Sequence, residues 1–156
     1  MRMIALCMFT VMALGAAVIA TSQAKPVISS TRYMETIYHD CPQMTDVQDC
    51  NLSFAKIPAG KVLTIQIVNC TMSAVYNGAF LMTAYLKVSN VGTVGTQVAI
   101  PATIVGNTQS SLTFAANHQI FAFAAAGYAP TVQTHWSHDV NADITCTIAG
   151  QLDAAN

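Results

Sequence analysis

The sequence has very few charged residues. Only 8% of its 156 residues are Asp, Glu, Lys or Arg, and the formal net charge is -1. Six basic residues against seven acidic ones leave no basic field for phosphates, which argues against nucleic-acid binding. Because 53% of the residues are hydrophobic, the chain can collapse by itself, which excludes a disordered protein. The length favours one domain.

Several catalytic motifs are also missing. There is no G-x-S-x-G elbow, no glycine-rich phosphate loop before a helix, and no CxxC pair to chelate zinc. Between Asp49 and Asp139 the sequence contains no carboxylate, so a paired-carboxylate glycosidase would need acids from both ends of the chain. We therefore predict a protein that is not an enzyme and that holds no cofactor.

The first 24 residues have the pattern of a secretory signal peptide. Arg2 supplies the positive charge, an apolar run follows over residues 3–20, and Ser22-Gln23-Ala24 is a small-residue site. This pattern predicts cleavage before Lys25 and export to the periplasm or the cell exterior, with no membrane span afterwards. Retention of the apolar run as a membrane anchor is the alternative.

The cysteines fit export. Removal of the leader takes away Cys7 and leaves four cysteines, and an even number in an exported chain predicts disulfides. Three pairings are possible. We favour Cys41–Cys50, which closes a short segment without strand or helix period, and Cys70–Cys146, which joins an early strand to the last one. The chain-entropy model gives them roughly 2.5–3 and 4–5 kcal/mol, respectively.

Apolar and polar residues alternate with period two from Leu52 onward. Turn residues such as Gly, Pro and Asn separate about eight predicted strands, over residues 52–57, 61–70, 78–88, 97–105, 110–115, 118–124, 131–137 and 143–152. This pattern predicts an all-β fold, an antiparallel β-sandwich that is jelly-roll-like and disulfide-stapled. The sandwich would span residues 52–152, after an N-terminal segment (25–51) with a small disulfide loop and before a C-terminal tail (153–156).

The alternation also predicts which side chains face the core. In the strand after Leu52–Ile57, the apolar residues from Leu63 to Ile67 share one face, whereas Cys70 is out of phase with them. A β-bulge near Val68-Asn69 would bring Cys70 inward, or the disulfide lies at the rim of the sandwich. Two other strands have apolar faces: Phe80, Met82, Ala84, Leu86 and Val88 in one, and Phe121 with Phe123 in the other.

Two short motifs resemble those of a known group of proteins. They are Pro58-Ala59-Gly60-Lys61, in the segment that leads to Cys70, and the closing run from Cys146 to Gly150. The chain resembles a loose family of small exported bacterial β-sandwich proteins of unknown function, with a Pro-Ala-Gly-Lys turn and a closing Cys-x-Ile-x-Gly strand. The resemblance covers about residues 52–152. It implies the fold and the compartment, and no activity.

Potential metal ligands cluster at His135, His138 and Asp139. Positions i and i+3 of a strand point to opposite faces, so the two histidines converge only if a turn begins at Ser137. We expect instead that His135 faces solvent and that His138-Asp139 begins a polar turn, so that no metal is bound. A metal-dependent enzyme using this cluster is the third functional hypothesis.

Exposed aromatic rings are the candidate ligand-binding residues. Tyr85 is out of phase with the apolar residues of its strand, Tyr128 lies in a Gly-Tyr-Ala-Pro loop, and Trp136 completes the set. Trp136 shares its phase with Val132, which favours a core position for this residue. We predict an envelope-associated or secreted binding or interaction module. The alternative is a carbohydrate-binding module that uses these Tyr and Trp rings.

Self-association is a further expectation. Only Lys56, Lys61 and Lys87 carry charge between residues 50 and 138, which gives the predicted edge strands little protection against pairing with another chain. The partner would be a polysaccharide, another protein or a second copy of this chain.

Overall fold

The structure, a computed structural model, describes residues 25–29, 31–41, 49–75, 80–88, 95–138 and 141–155. The predicted leader and its cleavage site lie outside these residues. The described part contains ten strands: β1 (Val27–Ser29), β2 (Arg32–Cys41), β3 (Asp49–Ser53), β4 (Lys61–Val75), β5 (Leu81–Val88), β6 (Thr96–Ala99), β7 (Thr103–Asn107), β8 (Ser111–Ala124), β9 (Thr131–Trp136) and β10 (Ala142–Ala154). A helix long and apolar enough to cross a membrane does not occur in the described ranges.

The strands form two antiparallel sheets. One has six strands in the order β1-β2-β10-β4-β8-β7, and the other has four in the order β3-β9-β5-β6. The inner faces share one hydrophobic core, in which Phe114 of β8 meets Trp136 of β9 edge to face at 5.8 Å between ring centroids. The predicted all-β antiparallel sandwich is confirmed, with ten strands instead of about eight. The jelly-roll connectivity stays a prediction.

The N-terminal segment contributes strands to the larger sheet. In β2 the side chains of Tyr33, Glu35 and Ile37 are buried, and the strand pairs with β10 over ten residues. The sandwich was predicted to begin only at Leu52; in β2 a glutamate stands in the middle of the buried face and interrupts the apolar alternation. The Glu35 carboxylate accepts hydrogen bonds from the Tyr33 hydroxyl and, at 3.0 Å, from the Ala55 N–H, and these bonds make its burial possible.

Several predicted strand boundaries are wrong. The first predicted strand, 52–57, corresponds to β3 at Asp49–Ser53, and two other stretches are divided differently. The stretch 97–105 is split at Pro101, so that β6 belongs to the four-stranded sheet and β7 to the six-stranded sheet. Proline has no N–H to donate to a ladder, which explains why the chain leaves one sheet there. In contrast, residues 110–115 and 118–124 are one continuous strand, β8.

The predicted β-bulge in β4 is present, although it lies at Gln66 instead of Val68-Asn69. Opposite β10, Ile65 pairs with Gly150 and Ile67 pairs with Ala149, so Gln66 is the extra residue. The bulge reverses the alternation: Ile65 is fully buried, whereas Ile67 is 41% exposed. From Val68 onward, the side chains of Val68 and Cys70 face the core. Ile67, predicted to face the core, therefore faces solvent.

The closing glycine has a packing role at the same bulge. A Cβ atom on Gly150 would lie 2.0 Å from the backbone carbonyl oxygen of Thr64, which leaves no room for any other residue. The Pro58-Ala59-Gly60-Lys61 segment is a tight turn, in which the Lys61 N–H donates to the Pro58 carbonyl at 3.2 Å. Gly60 has a φ of 69°, in the left-handed region that glycine adopts without strain.

Two further predictions of inward-facing side chains are wrong. Phe80 and Met82 are exposed because Met82 is an extra residue in β5: Leu81 pairs with Trp136 and Thr83 with the preceding residue of β9. In β8 the alanines at 122 and 124 face the core, so Phe121 and Phe123 point outward. Period-two alternation gives two sets of positions, and near the end of β8 the smaller side chains, Ala122 and Ala124, occupy the inner one.

Both expected disulfides are present. The loop disulfide (Cys41–Cys50) links the end of β2 to β3 and therefore joins the two sheets. The central disulfide (Cys70–Cys146) links β4 to β10 at directly paired positions in the middle of the six-stranded sheet. Its sulfur atoms lie in the core, since both cysteines are at most 1% exposed. Disulfides of this kind are typical of proteins from oxidising compartments.

Candidate functional site

The outer face of the four-stranded sheet presents one aromatic ring among polar side chains. Tyr85 of β5 points outward between two buried neighbours, as its phase predicts, and it pairs directly with Gln133 of β9. Gln133 in turn pairs with Asn51 of β3, so the ring and two amides form one row across three strands. Lys87 pairs with Thr131 in the next row. We call Tyr85, Gln133, Asn51, Lys87 and Thr131 the tyrosine platform.

The platform has the chemistry of a polar ligand site. The two amides offer both donors and acceptors, Lys87 offers a cationic donor, and Thr131 shares a hydroxyl–hydroxyl hydrogen bond of 3.1 Å with Ser53. The tyrosine ring adds a flat apolar surface and a hydroxyl. Because the strands hold the backbone of all these groups, only their side-chain rotamers have to be ordered when a ligand binds.

A cleft of about 290 Å³ lies beside Tyr85. Its floor contains Ala84, Ile100 and Phe114, all buried, and Met82 and Tyr85 also line it. The cleft exists because β6 pairs with β5 only from Tyr85 to Val88, and beyond this point the Ile100 N–H bonds to the Ala84 carbonyl at 2.8 Å. In the described residues, the remaining part of β5, 81–83, has no strand paired on that side.

Tyr128 lies elsewhere. It is exposed in the turn between β8 and β9, and its carbonyl accepts a 2.9 Å hydrogen bond from the N–H of Ile57. The turn leads into Thr131 at the start of β9, beside Lys87, whereas the cleft lies at the opposite end of β5. The strands therefore do not bring Tyr85 and Tyr128 into one cleft.

Trp136 is a core residue. Its side chain is 1% exposed, and its indole N–H donates a 3.0 Å hydrogen bond to the hydroxyl of Thr134, which is also buried. The prediction of Trp136 as an exposed ligand-binding ring is therefore wrong, whereas the core position indicated by its shared phase with Val132 is correct. Replacing such a large buried ring would destabilise the fold and would say nothing about ligand binding.

The histidine cluster is divided in the structure. His135 lies on the outer face of β9, and its Nδ1 is 2.7 Å from a carboxylate oxygen of Asp49 on β3. His138 is exposed in the bend after β9, and Asp139 lies outside the described residues. In the described part of the chain, the one group of three potential ligands within 4.8 Å is His39, Cys41 and Cys50. Both of these cysteines form the loop disulfide, which removes them as thiolate ligands.

The buried Tyr33–Glu35 pair is the most unusual ionisable group of the core. Burial, followed by the hydrogen bond to Glu35 and the charge of this residue, raises the pKa of the Tyr33 hydroxyl well above its usual value. The pair ties β2 to the chain segment after β3, because Ala55 also donates to the Glu35 carboxylate. It lies inside the sandwich, so we assign it a structural role.

Sequence analysis identified Tyr85 but not its polar neighbours. Gln133, Asn51 and Lys87 are distant in sequence, and only the pairing of β3, β9 and β5 makes them neighbours. The alternation of β9, where Thr131, Gln133 and His135 share the outward phase, was the one signal available. No family model, no curated protein and no solved structure matches this chain.

Proposed function

We propose that the protein is an exported, non-catalytic binding module that recognises glycans through the tyrosine platform. The observation that carries the proposal is the row formed by Tyr85, Gln133 and Asn51 on an outer sheet face. A sugar ring has an apolar face of C–H groups and a rim of hydroxyls. A tyrosine ring stacks on the former, and amide side chains bind the latter with both donors and acceptors.

Export is part of this proposal. Three features support it: the leader-like pattern of residues 1–24, the two disulfides, and the resemblance to a family of small exported bacterial proteins. A periplasmic or extracellular location would expose the protein to cell-wall material and secreted polysaccharides, which are ligands of the proposed chemistry.

The platform suits a chain of sugars better than a small molecule. Its groups lie along one row that crosses three strands, and adjacent strands are about 4.8 Å apart. The row from Tyr85 to Asn51 therefore spans about 10 Å, which is longer than one sugar ring. The cleft beside Tyr85 continues the row on the β6 side and would accept a further substituent.

Binding to insoluble polysaccharides and cell-wall material tests the proposal. The protein, with its disulfides formed, is incubated with each material, and the bound fraction is measured after sedimentation. Tyr85→Ala is expected to weaken binding about tenfold, since a well-packed aromatic contact contributes about 1–2 kcal/mol. Gln133→Ala is expected to weaken it by a smaller factor.

The controls separate stacking from folding. Tyr85→Phe keeps the ring and is expected to retain most of the affinity, whereas Tyr128→Ala removes an exposed ring outside the row of Tyr85, Gln133 and Asn51 and is expected to cause a much smaller loss than Tyr85→Ala. Absence of binding to every polysaccharide tested would refute the proposal. Equal losses for Tyr85→Ala and Tyr128→Ala would place the binding surface elsewhere.

A further inference from the structure

A row of apolar side chains crosses four neighbouring strands on the outer face of the six-stranded sheet. Val27 of β1 pairs with Met34 of β2, Met34 with Ala149 of β10, and Ala149 with Ile67 of β4. On β8 the direct partner of Ile67 is Gln119, and Phe121 and Phe123 point outward further along the same strand, where Phe123 pairs with Thr64. We call Val27, Met34, Ile67, Phe121 and Phe123 the apolar belt.

The bulge in β4 creates the belt. An unbroken strand would bury Ile67 with Ile65, but the extra residue Gln66 turns Ile67 to the outside. Ile67 is 41% exposed, so it leaves apolar surface in water that a threonine at this position would not leave. The polar row beside the belt shows the contrast, since Thr36, Thr147, Asn69 and Asn117 occupy the equivalent outward positions.

The size of the belt matches one half of a protein interface. Its five side chains expose between 41% and 71% of their surface, which corresponds to about 450 Å² of apolar area. Two such belts would bury about 900 Å² of apolar area. Since interfaces are about 60% apolar, the total would be about 1,500 Å², the size of a standard stable interface.

The geometry of the belt disfavours two other occupants. Phe121 and Phe123 meet edge to face, at 86° between their planes, so they cannot both stack on one flat glycan surface. Membrane-surface binding normally requires several cations around the apolar residues. In the described part of the chain, the cations near the belt are Arg32, in the row beside it, and Lys25, two residues before Val27.

The edges of the sheets are less suited to association than their sequence suggests. The four edge strands β1, β7, β3 and β6 have only three to five residues each, and β7 also contains a bulge. Short and bulged edges offer few backbone groups in register to another strand. β7 pairs with β8 only from Leu112 to Ala115, so in the described residues the rest of β8, which borders the belt, has no strand on that side. The apolar belt is nevertheless the larger apolar surface that a second copy could cover.

From these observations we infer that the apolar belt is a homodimer interface, in which the outer faces of two six-stranded sheets pack against each other. A symmetric dimer buries the same patch from both copies, so a self-complementary apolar surface with few charges is sufficient. Both tyrosine platforms would then face away from the interface, on opposite sides of the dimer.

Sedimentation velocity over a wide range of protein concentrations tests the inference, using protein expressed from the full sequence and purified with its disulfides formed. The wild type is expected to show a monomer–dimer equilibrium. Phe121→Ser and Met34→Lys are each expected to raise the dimer dissociation constant at least about tenfold. Both side chains are largely exposed, so neither change should unfold the monomer.

Val75→Thr is the matched control, because Val75 is exposed on the outer face of β4 but lies at the far end from the belt. It should leave the dissociation constant unchanged. A wild type that remains monomeric throughout would overturn the inference, as would a dimer that tolerates both belt variants. Binding of a monomeric wild type, but not Phe121→Ser, to phosphatidylglycerol-containing vesicles would assign the belt to a membrane surface and would also overturn it.

Discussion

The bulge at Gln66 makes a quantitative prediction about the two isoleucines beside it. Ile65 is fully buried, so Ile65→Ala removes three carbons from the core and leaves a cavity, at a cost of about 4 kcal/mol in the free energy of unfolding. Ile67 is 41% exposed. Its truncation loses only part of the transfer free energy and leaves no enclosed cavity, so we expect a cost of about 1 kcal/mol.

Urea denaturation followed by tryptophan fluorescence measures both costs. Trp136 is the single tryptophan of the sequence and is buried against Phe114, so its emission reports the integrity of the core. The measurements should use the lowest protein concentration that fluorescence permits, so that association through the apolar belt contributes little. Unchanged m-values would show that the two variants unfold from the same native state.

The two possible phases of β4 give clearly different outcomes. With unbroken alternation, Ile65 and Ile67 would both face the core and the two variants would lose similar stability. A difference of about 3 kcal/mol, with Ile65→Ala the less stable, is expected from the bulge. Equal losses, or a larger loss for Ile67→Ala, would refute the register shift and with it the continuity of the apolar belt.

Three other perturbations test separate parts of the fold. Gly150→Ala forces a Cβ against the Thr64 carbonyl, so we expect a loss of about 3 kcal/mol in urea denaturation; a loss below about 0.5 kcal/mol would contradict the close approach. Because burial raises the pKa of Tyr33 in the folded state, stability should fall as pH rises above about 10, by up to about 1.4 kcal/mol per pH unit. Tyr33→Phe should reduce this slope in denaturation curves at pH 8 to 11, and an unchanged slope would contradict the assignment. Replacing both cysteines of the central disulfide by alanine should lower the free energy of unfolding by about 4–5 kcal/mol, and the same change at the loop disulfide should lower it by about 2.5–3 kcal/mol. A lower urea midpoint for the loop variant than for the central variant would contradict the chain-entropy argument.

The class of the fold could be predicted from the sequence because most strands alternate cleanly. β9 is the clearest case, with Val132 and Trp136 inward and Gln133 outward, and its predicted boundaries differ from the observed ones by one residue. The disulfide pairing was also accessible, since Cys41 and Cys50 enclose a short segment without regular period.

The features that escaped prediction depend on tertiary structure. β2 was missed because its buried face contains Glu35, whose burial requires hydrogen bonds from Tyr33 and Ala55 that no local pattern reveals. The predicted face was wrong only in the second half of β8, where Ala122 and Ala124 occupy the inner positions and Phe121 and Phe123 point outward. Bulges shift the phase by one residue, and a bulge such as Met82 has no distinctive residue type.

The candidate site was predicted only in part for a similar reason. Tyr85 was found because its own strand gives its direction. Its partners are distant in sequence: Gln133 is 48 residues after Tyr85, and Asn51 is 34 residues before it. They become neighbours only through the order of the strands in the sheet. The order of the strands is determined by the packing of the whole sandwich. The alternation pattern of a single strand therefore does not predict which strands lie next to it.

The central disulfide also changes what a single break in the chain would do. It joins Cys70 to Cys146, so the 76-residue interval between them, which includes β5 to β9, is a closed covalent ring. A protease that cuts one peptide bond within this interval opens the ring but releases no fragment. The cut chain would remain one molecule, with β4 and β10 still joined at their paired positions, until a reductant reached the core. The first cleavage in this interval would thus release no part of the chain, and loss of material would require a second cut.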